Sequence, residues 1–162
     1  MCVILYLCAH QIMNSISTTI GALFFMYFAC TEVFGAKSKH LMNLNDENWR
    51  DMLEGEWMIN FFSKATWCPA CKELERPWNA FADWSSLKNK KIKVAQVDVT
   101  ENPGLSGRFL VSALPTIFHV KDGVFRLYGG PKDKEDFVKF IKQKQWSTVE
   151  PMASWFHPDS TQ

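Results

Sequence analysis

The sequence predicts an α/β fold in which a central mixed β-sheet is flanked by helices, joined to a separate apolar amino-terminal segment. Three observations carry this reading. Two runs rich in β-forming residues, Glu56 to Phe62 and Ile92 to Val99, bracket a long stretch of helical periodicity, the β-α-β pattern that calls for a parallel pair. Asp122-Gly123 then marks a tight hairpin, so a later strand pair is antiparallel and the sheet is mixed. Charge is also unevenly placed: residues 1 to 31 hold no Asp, Glu, Lys or Arg, and every charge except Glu32 lies at or after Lys37.

The 162 residues, 47% of them hydrophobic, provide for one packed core. The 18 Lys+Arg and 17 Asp+Glu nearly cancel, and no run of five or more basic residues occurs. An electrostatic nucleic-acid footprint is therefore not supported.

In the amino-terminal segment, residues 1–36, the apolar run from Ile20 to Cys30 has the length of a signal-peptide core and falls short of the ~20 residues that span a bilayer. Small residues at Ala29, Thr31, Val33 and Gly35 offer cleavage points, with a mature start within Glu32 to Lys37. No Lys or Arg precedes the run, so an uncleaved signal anchor is the alternative to a cleaved signal peptide. Cleavage would remove Cys2, Cys8 and Cys30 and leave Cys68 and Cys71 alone.

The body reads as follows. Leu44 to Glu54 is expected to be a first helix capped by Asn45 or Asp46, with Trp49, Met52 and Leu53 on one face. Glu56 to Phe62, with its unbroken Trp57-Met58-Ile59 run, suits a strand buried on both faces. Cys71, Leu74, Trp78, Phe81 and Ala82 recur at three- and four-residue steps, marking a long helix that opens near Cys68 and is kinked at Pro77. Ile92 to Val99 alternates as a second strand, and Leu105 to Phe109 follows a turn as a short helix. Leu114 to Val120 reads as a strand that begins at a proline, and Val124 to Tyr128 as its antiparallel return. A last helix carries Phe137, Val138, Phe140 and Ile141, with acids toward its start and lysines toward its end. The tail from Gln145 has no periodicity and is expected to be an irregular strap or linker; the domain is drawn at 37–146 and the extension at 147–162.

The chemistry centres on Trp67-Cys68-Pro69-Ala70-Cys71, which follows a buried strand and opens a helix. A cysteine at a helix start lies near unpaired backbone amides that favour its thiolate, and a second one, three positions on, is near enough to close a disulfide. Lowering a thiol from ~8.5 to ~7 needs about 2 kcal/mol, which a favourable helix N-terminus can supply. Cys68 is therefore assigned as the attacking nucleophile and Cys71 as the resolving thiol. Blander readings are weaker. A structural bridge across two residues gains little stability, and a zinc site would need further ligands, whereas His40, His119 and His157 are far apart in sequence. No metal and no cofactor are expected. Two inert core thiols would leave the surrounding pattern unexplained.

Residues 41–146 resemble the thioredoxin domain of the protein disulfide isomerase family, and within it the group of thioredoxin-related transmembrane proteins. The resemblance rests on Trp67 to Cys71 with its Pro69-Ala70 pair, Val97-Asp98-Val99-Thr100, Pro103 to Phe109, Ala113-Leu114-Pro115-Thr116, and the late Glu150-Pro151 and Trp155-Phe156. It implies a thioredoxin fold with a cis Pro115 facing the cysteines and a Leu114 backbone that binds an extended substrate; from the residues alone, Pro115 is equally an edge or turn proline. It implies that Trp67 belongs to the rim that meets clients, against a plain buried aromatic. It places Lys132 where a loop arginine tunes the second cysteine in related isomerases, against a solvated lysine. It implies thiol-disulfide exchange on client polypeptides in the endoplasmic reticulum lumen or membrane, with glutathione or another oxidoreductase as redox partner. The alternative is a weakly active, client-binding module.

The sequence also departs from the family pattern. Asn60 stands where a buried acid usually relays a proton to the resolving thiol, so it joins Lys132 as a candidate modulator. The stretch from Phe62 to Trp67 is two residues longer than usual. A membrane helix after the domain is implied, yet none is read before Gln162 and no Lys-Asp-Glu-Leu-type ending is present. Membrane attachment is expected only through an uncleaved amino-terminal segment.

Overall fold

The computed structural model describes residues 38–87 and 91–152. The segment 1–36, read as a signal peptide or anchor, lies outside the described residues, as do 153–162. The elements in chain order are β1 (Met42–Asn43), a 3-10 turn (Trp49–Leu53), β2 (Glu56–Phe62), α1 (Pro69–Leu87), β3 (Ile92–Asp98), α2 (Pro103–Arg108), β4 (Thr116–Lys121), β5 (Val124–Leu127), α3 (Lys134–Lys142) and a second 3-10 turn (Gln145–Thr148).

The five strands lie in the order β1-β3-β2-β4-β5. β3 pairs parallel with β1 and β2, and β4 pairs antiparallel with β2 and β5. The sheet is mixed, as the β-α-β unit and the hairpin together require. Asp122 and Gly123 take φ of 48° and 76°, the two consecutive left-handed residues of the hairpin turn that suits strand twist.

β2 is central and buried from Trp57 to Phe61, which explains its lack of polar alternation. β3 is likewise buried on both faces except at Lys93; the alternation expected there is absent because β3 has a strand on each side and a layer on each face. Successive side chains point to opposite faces and feed two cores. One gathers Trp57, Ile59, Phe61 and Val97 against Trp49, Met52, Leu105 and Phe109. The other gathers Met58, Val94 and Ile117 against Leu74, Trp78 and Phe81 of α1 and Phe137 and Phe140 of α3.

Some boundaries differ from the sequence reading. The helix expected from Leu44 to Glu54 shrinks to the 3-10 turn at 49–53. Leu44 is held to β3 through its N–H on the Gln96 carbonyl, and Asn45 Oδ1 accepts the N–H groups of Glu47 and Asn48, so local amide bonds displace a regular first turn. The same tie creates β1, a two-residue strand the sequence did not announce. α1 runs unbroken through Pro77 for 19 residues; burial of Leu74, Trp78 and Phe81, about 1.5–3 kcal/mol each, offsets the ~3 kcal/mol cost of an interior proline. β4 starts at Thr116, after Pro115. The tail forms the 3-10 turn at 145–148, and the Met152 N–H bonds the Phe125 carbonyl at 2.9 Å, laying the chain along the outer edge of β5.

Candidate active site

Cys68 and Cys71 stand at the start of α1 and are joined by a disulfide, with Cα atoms 5.3 Å apart. The geometry follows from the local sequence. Cys68 caps the helix: its carbonyl accepts the N–H groups of Cys71 at 3.2 Å and Lys72 at 3.4 Å. Pro69 occupies the first helical position, where a missing N–H costs nothing. No acidic residue lies in that first turn, so the positive end of the helix dipole acts on Cys68 without a carboxylate to cancel it.

A cleft of about 370 Å³ opens beside Cys68, lined by Trp67, Cys68, Pro69 and Ala70 on one stretch, by Val99 and Ser106, and by Val111, Ser112, Ala113 and Leu114 on another. None of these residues is charged. Trp67 is 64% exposed, so it is a rim residue and not part of the core. Leu114 lines the cleft, and the Leu114–Pro115 bond is cis, with Pro115 buried. Of the sequence candidates, Trp67, Cys68 and Leu114 line the cleft, Cys71 is joined to Cys68 by the disulfide, and Pro115 follows Leu114.

The two candidate modulators sit elsewhere. Asn60 is buried on β2, between Gln96 of β3 and Ile117 of β4, and its Oδ1 has no hydrogen-bond partner. It shares the sheet face of Met58, the face that α1 covers. Gln96 turns toward the sheet edge instead, its Nε2 donating to Asn43 Oδ1 at 2.9 Å. Lys132 is exposed, on a loop held by the Tyr128 hydroxyl donating to the Pro131 carbonyl at 2.7 Å. It is not among the residues lining the cleft.

One group near the site was not singled out from sequence. Lys64, in the loop before Trp67, donates to Glu101 at 2.7 Å and lies 3.4 Å from Asp98. Burial works against the charge on Asp98, but hydrogen bonds from the Thr100 hydroxyl and N–H, with Lys64 adding attraction, hold its carboxyl below the ordinary value. The hydrogen bond to Glu101 lifts the Lys64 ammonium above its ordinary value. The loop carrying Trp67 and Cys68 is thereby tied to the turn after β3, where Val99 lines the cleft.

Comparison with known proteins agrees with this geometry. Residues 40–143 match the thioredoxin family model. The chain is 56% identical over 117 residues to thioredoxin-related transmembrane protein 1 of Bos taurus, which covers 72% of this chain and 41% of that protein. It is 47% identical over 147 residues to the Homo sapiens protein of the same name, covering 91% and 51% respectively. The chain thus spans about half or less of those relatives. Protein disulfide-isomerase 1 of Caenorhabditis elegans is 30% identical over 80% of this chain and 27% of its own length. Among solved structures, the first thioredoxin domain of mouse protein disulfide-isomerase A4 superposes with a TM-score of 0.58 at 24% identity, covering 78% of this chain and 82% of that one. That likeness speaks to the fold.

Proposed function

The chain belongs to the thioredoxin family, and from that membership and the placement of its cysteine pair we propose that it exchanges dithiols for disulfides in client polypeptides. The observation that carries the reading is the Cys68–Cys71 disulfide at a helix N-terminus on the wall of an uncharged cleft. In the reduced protein, the Cys68 thiolate attacks one sulfur of a client disulfide, forming a mixed disulfide and expelling the client's other sulfur as a thiolate, which takes up a proton. Cys71, deprotonated, then attacks Cys68 Sγ; the client leaves as a dithiol and the Cys68–Cys71 bond forms. Run in reverse, a client thiolate attacks the oxidised pair and leaves with a new disulfide. No cofactor enters either direction, and glutathione or another oxidoreductase resets the pair.

Trp67 and Leu114 are assigned to client contact, and Pro115 to shaping the cleft beside them. The thioredoxin-related transmembrane proteins among the relatives support a place in the endoplasmic reticulum, in its lumen or at its membrane. Among the described residues no helix is long and apolar enough to cross a membrane.

A weaker exchange activity coupled to client binding is favoured by one observation: the buried group on β2 is an amide, Asn60, which cannot carry a proton to Cys71 as a carboxylate would. Insulin-disulfide reduction driven by dithiothreitol separates the two readings. Acceleration by the protein that disappears in Cys68→Ser supports exchange. Equal background rates for both proteins would overturn it in favour of client binding alone.

A further inference from the structure

Helix α2 ends in a paired-bond cap: the Val111 N–H donates to the Ser106 carbonyl at 2.9 Å, and the Leu110 N–H to the Gly107 carbonyl at 3.1 Å. The residue in the left-handed position of that cap is Leu110, with φ of 50°. Glycine is the usual occupant, because a Cβ crowds the backbone there. Leu110 recovers little of that cost by packing, since it is 50% exposed. Two other described residues besides glycine share the conformation, Asp122 and Lys144, and both are polar and exposed. Leu110 is the one of the three that presents an apolar side chain to water. Strain kept without a structural return points to a function.

Its position supplies one. Leu110 immediately precedes Val111, Ser112, Ala113 and Leu114, which line the cleft, and the carbonyl that anchors its cap belongs to Ser106, another lining residue. Trp67, also largely exposed, borders the cleft from the stretch that carries Cys68. Trp67 lines the cleft and Leu110, itself outside the lining, directly precedes a residue that does, so two exposed apolar side chains belong to the two stretches that wall a cleft with no charged lining residue. Any occupant that reacts with the pair brings a cysteine or cystine, and the residues beside that sulfur meet a lining that is mostly apolar, with the hydroxyls of Ser106 and Ser112, and that holds no charged side chain.

We propose that Leu110 is a specificity-determining residue: an apolar lip that, with Trp67, favours extended client segments whose cysteine is flanked by an apolar side chain over those flanked by a charged one. This rests on the thiol-disulfide exchange reading above. Glycine would relieve the backbone and remove the lip, so the substitution is expected to move stability and substrate recognition in opposite directions. A residue with a purely structural role would move them together.

The test compares wild type with Leu110→Gly on two disulfide-bearing peptides, one with leucine and one with glutamate beside the cysteine, and on glutathione disulfide. Leu110→Gly is expected to keep or raise the denaturation midpoint. It should lose about tenfold in kcat/KM on the leucyl peptide, through KM, while the glutamyl peptide and glutathione disulfide react as before. Leu110→Met is expected to restore the preference. Unchanged KM for the leucyl peptide, or an equal loss on all three substrates, would overturn the proposal. Should Leu110→Gly fail to fold, Leu110→Asn, which tolerates the left-handed region and removes the apolar surface, is read in the same way. Absence of turnover in wild type would refute the exchange reading itself. Fluorescence anisotropy of the labelled leucyl peptide then decides the lip separately, weaker binding to Leu110→Gly supporting it and equal binding overturning it.

Discussion

The ring of His119 lies against that of Trp146, with centroids 5.0 Å apart and planes 16° from parallel, so a side chain of β4 is covered by the chain that follows the last helix. His119 is fully buried. Its Nε2 lies 3.1 Å from Glu56 Oε1 on β2, while Nδ1 has no partner, nor do Trp146 Nε1 and Arg126 Nε nearby. Lys121 of β4 and Arg126 of β5 stand over the Trp146 ring. Burial pushes the imidazole pKa below its ordinary 6.5; Glu56 pulls it up, the two cations push it down, and the net direction is down.

The pH dependence follows from that direction. The folded state holds His119 neutral, and as pH falls the unfolded chain takes up the proton first, so this contribution to stability is complete above about 6.5 and is lost as pH drops toward the lower folded value. Urea denaturation across pH 7.5 to 5 is expected to show the fall in wild type and a smaller one in His119→Phe, which keeps an aromatic ring against Trp146. Parallel curves for the two proteins would contradict it.

Two tryptophans ten residues apart are expected to respond oppositely. Trp57→Ala empties a fully buried site and should cost about 3–5 kcal/mol in chemical denaturation. Trp67→Ala removes an exposed ring and should change stability by less than about 0.5 kcal/mol, yet raise KM for a polypeptide disulfide. A Trp67→Ala protein with wild-type KM would remove Trp67 from client contact.

Roles within the cysteine pair are separable by trapping. With Cys71→Ala, the second attack is lost and mixed disulfides between Cys68 and clients should persist on non-reducing gels. They should be absent when Cys68→Ser is added. Adducts that survive the double substitution would place the nucleophile elsewhere.

Asn60→Glu should raise insulin-reduction turnover if proton transfer to Cys71 limits the reaction. Burial of the new carboxyl raises its folded pKa, so the variant should be most stable at acid pH and lose stability as pH rises above about 4.3. Turnover equal to wild type in a folded variant would show that the amide is no bottleneck.

What the sequence made legible was local. The central strand, the cysteine pair at a helix start and the Asp122-Gly123 hairpin each depend on neighbours within a few residues, and each lies where periodicity or turn chemistry places it. β1 was not legible, because two residues become a strand only through β3. Nor was the Lys64 tie, whose partner Glu101 is 37 residues away, or the stacking of Trp146 on His119, which no period in the tail announces. The strain at Leu110 was equally hidden, since a leucine after a short helix gives no sign of its φ. Asn60 and Lys132 were legible only by resemblance, and neither lines the cleft.

The sheet's two borders bear on how such a protein can work amid extended chains. Unpaired strand edges are templates on which other chains stack and aggregate. Here one border is a strand of only two residues, and the other is taken up in part by the protein's own Met152. If the proposed exchange holds, unfolded polypeptides must be held by their cysteines and not also captured by their backbones. Such edges would offer an extended client little backbone to pair with, so that it could leave once its sulfur is released.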